Sequence, residues 1–259
     1  MSIKLVALDM DGTLLDSNNN IPSDFMDWVK KHTDIKTVIA SGRQYYALEK
    51  DFIPIKDKLI FAAENGGLVF KDNKIIYSNK MKKEDIYKCL DLVIGMENLT
   101  PIICGAEAAY IMPTKESIYK EASIYFAHLQ QADDLYEAAL HDTIVKIAVF
   151  VEDRRAELAM EYFKNVGKEL AVVLSGNCWI DIINETSGKG TAITAIQEKY
   201  GISREESMAF GDYLNDAGMM KCCEESYCME NGHPDLKVLA KHIADSNDNN
   251  GVMKVLNCI

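Results

Sequence analysis

Residues 4–13 read Lys-Leu-Val-Ala-Leu-Asp-Met-Asp-Gly-Thr, an apolar run that ends in two acidic residues and a glycine. A short continuous apolar run of this kind is typical of a parallel strand that is buried on both faces. Because alternate residues of an extended chain point the same way, Asp9 and Asp11 can face one pocket. Gly12 lets the chain turn sharply away from them. Taken alone, the pair could equally be two turn acids that end a strand.

Strands and helices alternate around this stretch in a pattern that predicts an α/β fold, with a Rossmann-like doubly wound parallel sheet. We assign that sheet to residues 1–80 and 185–259. The expected elements are a strand at 4–8, a helix at 23–32 opened by Ser23, a strand at 36–40, a helix from Tyr45, a strand at 59–63, a helix at 191–200, a strand at 207–210 and a helix at 215–222.

The segment 81–184 differs in character and predicts an inserted α+β domain. Its expected elements are a helix at 84–97, a strand over 102–111, a polar helical stretch over 115–140, a strand at 145–151, a helix at 154–168, and strands at 171–174 and 179–183.

Composition excludes several classes of protein. Of the 259 residues, 48% are hydrophobic and 26% are charged, as in ordinary globular proteins. No run of eighteen apolar residues occurs, so we expect no membrane partner, and the N-terminus lacks the pattern of a signal peptide. The seven cysteines are scattered and odd in number, which favours reduced thiols in a cytoplasmic protein over a disulfide framework.

The net charge of −12 argues against a nucleic-acid partner, because no basic stripe is present to neutralise phosphates. If the substrate is itself an anion, the site must supply its own positive charge, from a metal ion or from a few well-placed cations.

A second polar signal, Ser41-Gly42-Arg43, follows the strand expected at 36–40. The Ser41 hydroxyl and exposed backbone amides suit phosphoryl oxygens, and Gly42 allows close approach. Arg43 could reach a substrate or form a salt bridge. By itself this tripeptide is more often an ordinary turn.

A third signal is Lys189, at the predicted start of a helix in Ser187-Gly188-Lys189-Gly190-Thr191. A lysine beside a helix N-terminus attracts an anion through both its ammonium group and the helix dipole. The segment is not a nucleotide-binding P-loop, because Ile183 stands where that motif requires its first glycine.

The fourth signal is Gly211-Asp212-Tyr213-Leu214-Asn215-Asp216, after the strand expected at 207–210. Asp212 and Asp216 can aim at one point above the edge of the sheet. Oxygen ligands from Asp9, Asp212 and a backbone carbonyl suit Mg²⁺, and Asn215 or Asp216 could orient its waters or hold Lys189. Alone, the motif could be a helix with acids in its first turn.

The four signals, in this order and at these strand ends, together resemble the haloacid dehalogenase superfamily of phosphohydrolases. The insert between the second and third signals resembles the type C2 cap of subfamily IIB. The ending Asp245-Ser246-Asn247-Asp248-Asn249-Asn250-Gly251-Val252 looks like that of the Cof-type subfamily. The resemblance covers essentially the whole chain, and its motifs lie in the predicted sheet domain rather than in the insert.

The resemblance implies a Mg²⁺-dependent phosphomonoester hydrolase that forms an aspartyl-phosphate on Asp9, with Asp11 as general acid and then general base. It implies the catalytic residues Asp9, Asp11 and Lys189. The implied phosphate-binding residues are Ser41, Gly42, Arg43, Gly12 and Asn215, and the implied metal-binding residues are Asp9, Asp11, Asp212 and Asp216.

Two alternatives stay open, a phosphotransferase or phosphomutase of the same superfamily and a non-catalytic binding domain that keeps the fold. The expected substrate is a small phosphorylated metabolite such as a hexose phosphate, flavin mononucleotide or pyridoxal phosphate. Candidates for contacts with its leaving group, by position alone, are Tyr45, Tyr46, Asn65, Trp179 and Asp181. For the aromatic residues among these, core packing is the better interpretation. We expect a monomer or a weak homodimer.

Overall fold

The computed structural model describes residues 2–259, in which strands and helices form two compact units. Of these residues, the first unit comprises 2–77 and 188–259, and the second is Ser78–Ser187. The predicted inserted segment, 81–184, lies within the second unit. The strands are β1 (Leu5–Asp9), β2 (Lys36–Ala40), β3 (Leu59–Ala63), β4 (Leu68–Lys71), β5 (Lys74–Ser78), β6 (Leu99–Cys104), β7 (Ala109–Ile111), β8 (Leu129–Gln131), β9 (Lys146–Val151), β10 (Leu170–Leu174), β11 (Trp179–Asn184), β12 (Ser207–Gly211), β13 (Glu225–Met229) and β14 (His242–Ala244).

Within residues 2–259, ten α-helices accompany these strands, together with short 3-10 turns. The helices are α1 (Phe25–Lys31), α2 (Tyr45–Asp51), α3 (Lys83–Val93), α4 (Glu116–Tyr125), α5 (Leu135–His141), α6 (Ala156–Ala159), α7 (Lys189–Tyr200), α8 (Ala217–Cys222), α9 (Pro234–Leu239) and α10 (Gly251–Leu256). Among the described residues, no helix combines the length and the apolar character that crossing a membrane requires. All seven cysteines are free thiols.

The first unit is built on an eight-stranded sheet with the order β14-β13-β12-β1-β2-β3-β4-β5. The strands from β14 to β3 are parallel neighbours, and β4 runs antiparallel to β3. One face, which includes Leu5 and Ala7 of β1, packs against α7, α8 and α9. On the other face the Phe52 ring meets both Phe25 of α1 and Phe61 of β3. Helices thus cover both faces, and the predicted doubly wound α/β fold is confirmed.

The second unit carries a six-stranded sheet with the order β10-β11-β9-β6-β7-β8. Its pairs are antiparallel except for the parallel pair of β7 and β8. Helices α3 and α5 pack on one face, and α4 packs on the other. The unit is therefore an α+β domain inserted into the first unit, as predicted.

The strand predicted over 102–111 is wrong, because the chain reverses there between β6 and β7. Apart from Gly105, the turn carries little local signal. The carboxylate of Asp142 holds it, accepting hydrogen bonds from the backbone N–H groups of Ala106 and Glu107 at 3.0 and 2.9 Å. A Cβ atom at Gly105 would lie 2.1 Å from this carboxylate, so the close approach requires glycine.

Three helix predictions also need correction. The stretch 115–140 contains α4, the edge strand β8 and α5, and α5 begins where the Asp134 side chain accepts the N–H groups of Tyr136 and Glu137. The helix predicted at 154–168 is reduced to α6 and a 3-10 turn, and the left-handed φ of +57° at Arg154 prevents it from beginning there. Ser23 does not open α1, which begins at Phe25 after Asp24.

Candidate active site

Asp9 is the last residue of β1, a strand in which every residue is buried. Its neighbours β2 and β12 run parallel to β1, with Asp9 level with Ala40 and Leu8 level with Phe210. Polar residues that follow these strands therefore gather at one edge of the sheet, where open α/β folds bind ligands. Only 6% of the Asp9 surface is exposed. Burial raises the pKa of the Asp9 carboxyl above its usual range, although Lys189 acts in the opposite direction.

Lys189 is the first residue of α7, and its ammonium lies between two carboxylates. Its Nζ donates to Asp9 Oδ1 at 2.5 Å and to Asp216 Oδ1 at 2.6 Å. Lys189 is 1% exposed and Asp216 is 0% exposed. Burial disfavours the charged ammonium, but the attraction of the two carboxylates outweighs burial and raises the pKa of Lys189 above its usual range. The site therefore keeps a permanent positive charge next to Asp9.

Asp216 orients Lys189 and also closes the turn after β12. Its second oxygen, Oδ2, accepts the backbone N–H groups of Asp212 and Tyr213 at 3.0 and 3.1 Å. A Cβ atom at Gly211 would lie 2.5 Å from Asp216, so only glycine permits this approach. Because both oxygens of Asp216 already accept hydrogen bonds, its clearest role is to position Lys189.

Asp9, Asp212 and Asp216 form an acidic group in which ligand atoms lie within 4.8 Å of one another. Burial and the neighbouring Asp216 raise the pKa of Asp212, as expected where carboxylates are crowded together. A Cβ atom at Gly12 would lie 2.5 Å from Asp212 Oδ2, so the glycine leaves room at this group. Hard oxygen donors this close together fit a divalent cation such as Mg²⁺.

Asp11 and Gly12 lie in the turn Met10–Leu14 that follows β1. Gly12 has a left-handed φ of +76°, which favours glycine. The Asp11 side chain forms a two-pronged salt bridge with Arg43, in which the Nε–Oδ2 distance is 3.0 Å, and its carboxylate stands apart from the acidic group. Of the two roles open to Arg43, the structure therefore contains the salt bridge. Metal binding by Asp11 stays a prediction.

Ser41 follows β2 and is buried, and its Oγ accepts the backbone N–H of Arg43 at 3.2 Å. A Cβ atom at Gly42 would lie 3.1 Å from the amide nitrogen of Asn65, a tight contact that glycine avoids. The Oδ1 atom of Asn65 in turn accepts a hydrogen bond from Nδ2 of Asn215 at 3.0 Å. The structure thus brings Ser41, Asn65 and Asn215 to the same edge of the sheet.

Asn65 was a leaving-group candidate by position, and the structure places it beside the predicted phosphate-binding residues. Tyr45 is a packing residue, since it stacks on Phe70 with ring centroids 4.0 Å apart. Tyr46 packs edge-on against Tyr45. Trp179 and Asp181 belong to β11 of the second unit, where the Trp179 ring packs against Phe150.

Two asparagines that the sequence signals did not single out also contact the turn after β1. Asn231 Nδ2 donates to the backbone carbonyl of Gly12 at 2.8 Å, and Asn247 Nδ2 donates to that of Leu15 at 2.8 Å. Asn247 lies in the C-terminal stretch that supported the family resemblance, which was the available signal. No residue-level role followed from it, because the contact spans 232 positions.

Comparison with known proteins identifies the family of the chain. Residues 6–256 match the family of haloacid dehalogenase-like hydrolases. The 5-amino-6-(5-phospho-D-ribitylamino)uracil phosphatase YbjI of Escherichia coli K12 is 30% identical, over 99% of this chain and 96% of its own length. YwtE of Bacillus subtilis, which is named as a phosphatase of the same compound, is 26% identical over 96% of each chain. The crystal structure of SMU.1108c from Streptococcus mutans UA159 has a TM-score of 0.83, with 28% identity and 99% and 98% of the two chains covered.

The chain therefore belongs to the haloacid dehalogenase-like hydrolase family, and the family predicted from the four signals is confirmed. Within that family it is an enzyme of the phosphatase class.

Proposed function

We propose that this enzyme is a Mg²⁺-dependent phosphomonoester hydrolase that forms an aspartyl-phosphate on Asp9. The observation that carries the proposal is the buried Lys189 ammonium, which lies between Asp9 and Asp216 and beside Asp212. Phosphoryl transfer depends mainly on positioning and charge stabilisation, and this cluster supplies a nucleophile and a fixed cation.

In the first step, a carboxylate oxygen of Asp9 attacks the phosphorus as the bond to the leaving oxygen breaks. Asp11 donates its proton to that oxygen, which leaves as an alcohol. The salt bridge between Asp11 and Arg43 must open for this transfer, and the guanidinium is then free to pair with the phosphoryl group.

In the second step, the Asp11 carboxylate takes a proton from a water molecule, whose oxygen attacks the phosphorus. The bond between Asp9 and phosphorus breaks, and the products are inorganic phosphate, free Asp9 and protonated Asp11. Ser41, Gly42 and Asn215 would hold the phosphoryl oxygens through hydroxyl, backbone and amide donors.

Asp9 and Asp212 are the residues best placed to hold Mg²⁺, because both oxygens of Asp216 already accept hydrogen bonds. The bound ion would offset the negative charge of the phosphoryl group and of the crowded carboxylates. This need is strong in a chain whose net charge is −12.

For the substrate we propose a small phosphorylated metabolite, first of all 5-amino-6-(5-phospho-D-ribitylamino)uracil. The support is that the relatives YbjI and YwtE are named as phosphatases of this compound. Hexose phosphates, flavin mononucleotide and pyridoxal phosphate complete a panel to be assayed for phosphate release with Mg²⁺. Phosphate release without an added sugar bisphosphate favours a hydrolase over a phosphomutase. Failure to release phosphate from every compound would contradict the proposal.

The test of the mechanism is Asp9→Asn, which removes the nucleophile and keeps nearly the same shape. We expect phosphatase activity to fall by roughly a thousandfold or more, with an unchanged circular dichroism spectrum. The matched control is Asp34→Asn, at an exposed aspartate before β2, which should keep wild-type activity. A wild-type rate of phosphate release by the Asp9→Asn variant would contradict the mechanism.

The remaining expectations from the sequence stay predictions. They are a cytoplasmic location, the absence of nucleic-acid and membrane partners, and a monomer or weak homodimer. Light scattering over a range of protein concentrations would measure the oligomeric state.

A further inference from the structure

Side chains from the last thirty or so residues of the chain form hydrogen bonds with the turn after β1. Asn231 Nδ2 donates to the Gly12 carbonyl at 2.8 Å, and Asn247 Nδ2 donates to the Leu15 carbonyl at 2.8 Å. The two asparagines are themselves connected, because the backbone N–H of Asn247 donates to Asn231 Oδ1 at 3.1 Å. Together they form one hydrogen-bonded strap, which we call the asparagine strap.

A second pair of hydrogen bonds lies beside the asparagine strap. The backbone N–H and the hydroxyl of Ser17 each donate to a carboxylate oxygen of Asp248 at 2.7 Å. The turn that carries Asn247 and Asp248 is itself tightly built, since a Cβ atom at Gly251 would lie 1.9 Å from the carbonyl oxygen of Asp245. Asn247 is buried, so the anchor of the strap belongs to the core of the first unit.

Asp11 needs such support. Its side chain is 55% exposed, and the Arg43 salt bridge that restrains it must open for proton transfer. What remains to place the carboxyl is then the backbone of its own turn. Gly12, the next residue, has a φ of +76°, and the orientation of its carbonyl is fixed by Asn231. A catalytic acid held loosely loses rate, because proton transfer requires hydrogen-bond reach of the leaving oxygen.

We propose that Asn231 and Asn247 are positioning residues that hold the turn carrying Asp11 for its proton transfer to the leaving group. This inference rests on the proposed function, in which Asp11 is the general acid. It adds residues for which neither the sequence signals nor the comparisons provide a role.

The dependence of kcat/KM on the leaving group distinguishes a positioning role from a purely structural one. A purely structural defect would lower kcat/KM equally for all leaving groups. The departing oxygen of an alkyl phosphate needs a proton, whereas p-nitrophenolate leaves readily without one. The constant kcat/KM reports the steps up to formation of the aspartyl-phosphate and excludes its later hydrolysis. A positioning defect at Asp11 should therefore lower kcat/KM for an alkyl phosphate much more than for p-nitrophenyl phosphate.

The test uses the full chain with Mg²⁺ and the variants Asn231→Asp and Asn231→Ala. The first is nearly isosteric and removes the donor to Gly12, and the second removes it without adding charge. Because Asn231 is exposed, both variants should fold. The matched controls are Asn249→Asp and Asn249→Ala, in the same C-terminal region, whose side chain makes no hydrogen bond within residues 2–259.

We expect both Asn231 variants to lose about tenfold in kcat/KM for the best alkyl phosphate of the panel and less than about threefold for p-nitrophenyl phosphate. Asn247→Asp should show the same selectivity, and the Asn249 controls should resemble wild type. Equal losses for the two substrates, or no loss in the Asn231 variants, would overturn the inference.

Asp11→Asn separates this inference from the proposed function. If Asp11→Asn shows strong selectivity for the leaving group and the Asn231 variants do not, the strap inference alone fails. If Asp11→Asn affects both substrates equally, Asp11 is not the general acid, and the mechanism proposed above fails with it.

Discussion

Lys189 is the residue on which the site depends most, and its environment is electrostatically costly. Taking an ammonium and two carboxylates out of water carries a large desolvation penalty, which their mutual attraction offsets only in good geometry. Lys189 meets that condition with two short contacts, to Asp9 and Asp216. The cluster is therefore better explained by the fixed charge that it provides for catalysis than by a gain in folding stability.

Lys189→Met should remove activity and also destabilise the fold, because Asp9 and Asp216 would be left buried without their cation. We expect a loss of about 3–5 kcal/mol in the free energy of unfolding, measured by urea denaturation in EDTA. The double variant Lys189→Met/Asp216→Asn removes one uncompensated charge, so it should recover part of this stability while staying inactive. A double variant that is less stable than Lys189→Met would contradict this account.

Gly12→Ala tests the space beside Asp212. A Cβ atom there would lie 2.5 Å from Asp212 Oδ2, and the left-handed φ adds strain, so we expect weaker Mg²⁺ activation and a large loss of activity. Gly201→Ala is the matched control, since Gly201 also has a positive φ of +64° but has nothing within 4 Å of its Cβ position. It should cost about 1 kcal/mol of stability and leave Mg²⁺ activation unchanged. Equal Mg²⁺ dependence in the two variants would contradict this prediction.

At the scale of elements, the meeting of Lys189 with Asp216 depends on how closely α7 and α8 approach. The two helices meet at a pair of glycines, Gly190 and Gly218. A Cβ atom at Gly190 would lie 2.5 Å from the backbone carbonyl carbon of Gly218. Because that clash involves backbone rather than a flexible side chain, the helices would have to separate to accept it.

Gly190→Ala should therefore displace α8 from α7 and with it the contact between Lys189 and Asp216. We expect a loss of roughly 1–3 kcal/mol in the free energy of unfolding, together with a lower kcat. Gly188→Ala, two residues earlier, is the control, because Gly188 has an extended backbone and open space at its Cβ position. The prediction fails if thermal unfolding and kcat rank the two variants equally.

At the scale of the whole molecule, a chain of net charge −12 is proposed to bind an anionic substrate. Its overall field repels such a substrate, so the attraction must come from charges within the site. Lys189 and Arg43 are the protein cations there, and a bound Mg²⁺ would add to them. A metal held by the folded protein should also be visible in the stability of the molecule.

Mg²⁺ at about one hundred times its dissociation constant should raise the melting temperature by roughly 5–10 °C over the protein in EDTA, because it binds the folded state. Asp212→Asn should reduce that shift strongly, since it removes an oxygen charge from the proposed site. Asp34→Asn, at an exposed position, should keep the full shift. Equal shifts in both variants would place the ion elsewhere.

The parts of the fold that could be read from local sequence are those with strong local patterns. The strands at 36–40 and 59–63 were predicted with the bounds that the structure has, because buried parallel strands are short continuous apolar runs. Strands β13 and β14 were not predicted, and β14 is a short edge strand with one well-exposed residue, Ile243. The turn at 105–108 was missed because the distant Asp142 stabilises it.

For this protein the sequence by itself determined the polar residues that end the parallel strands, since chain order and strand direction send Asp9, Ser41 and Asp212 to one edge of the sheet. Only the tertiary structure decided which of these groups touch. In the folded chain, Lys189 forms salt bridges with both Asp9 and Asp216, and Arg43 forms one with Asp11. The Asn231 side chain donates a hydrogen bond to the carbonyl of Gly12. Such contacts depend on side-chain geometry between segments far apart in the chain, for which no local spacing carries a signal.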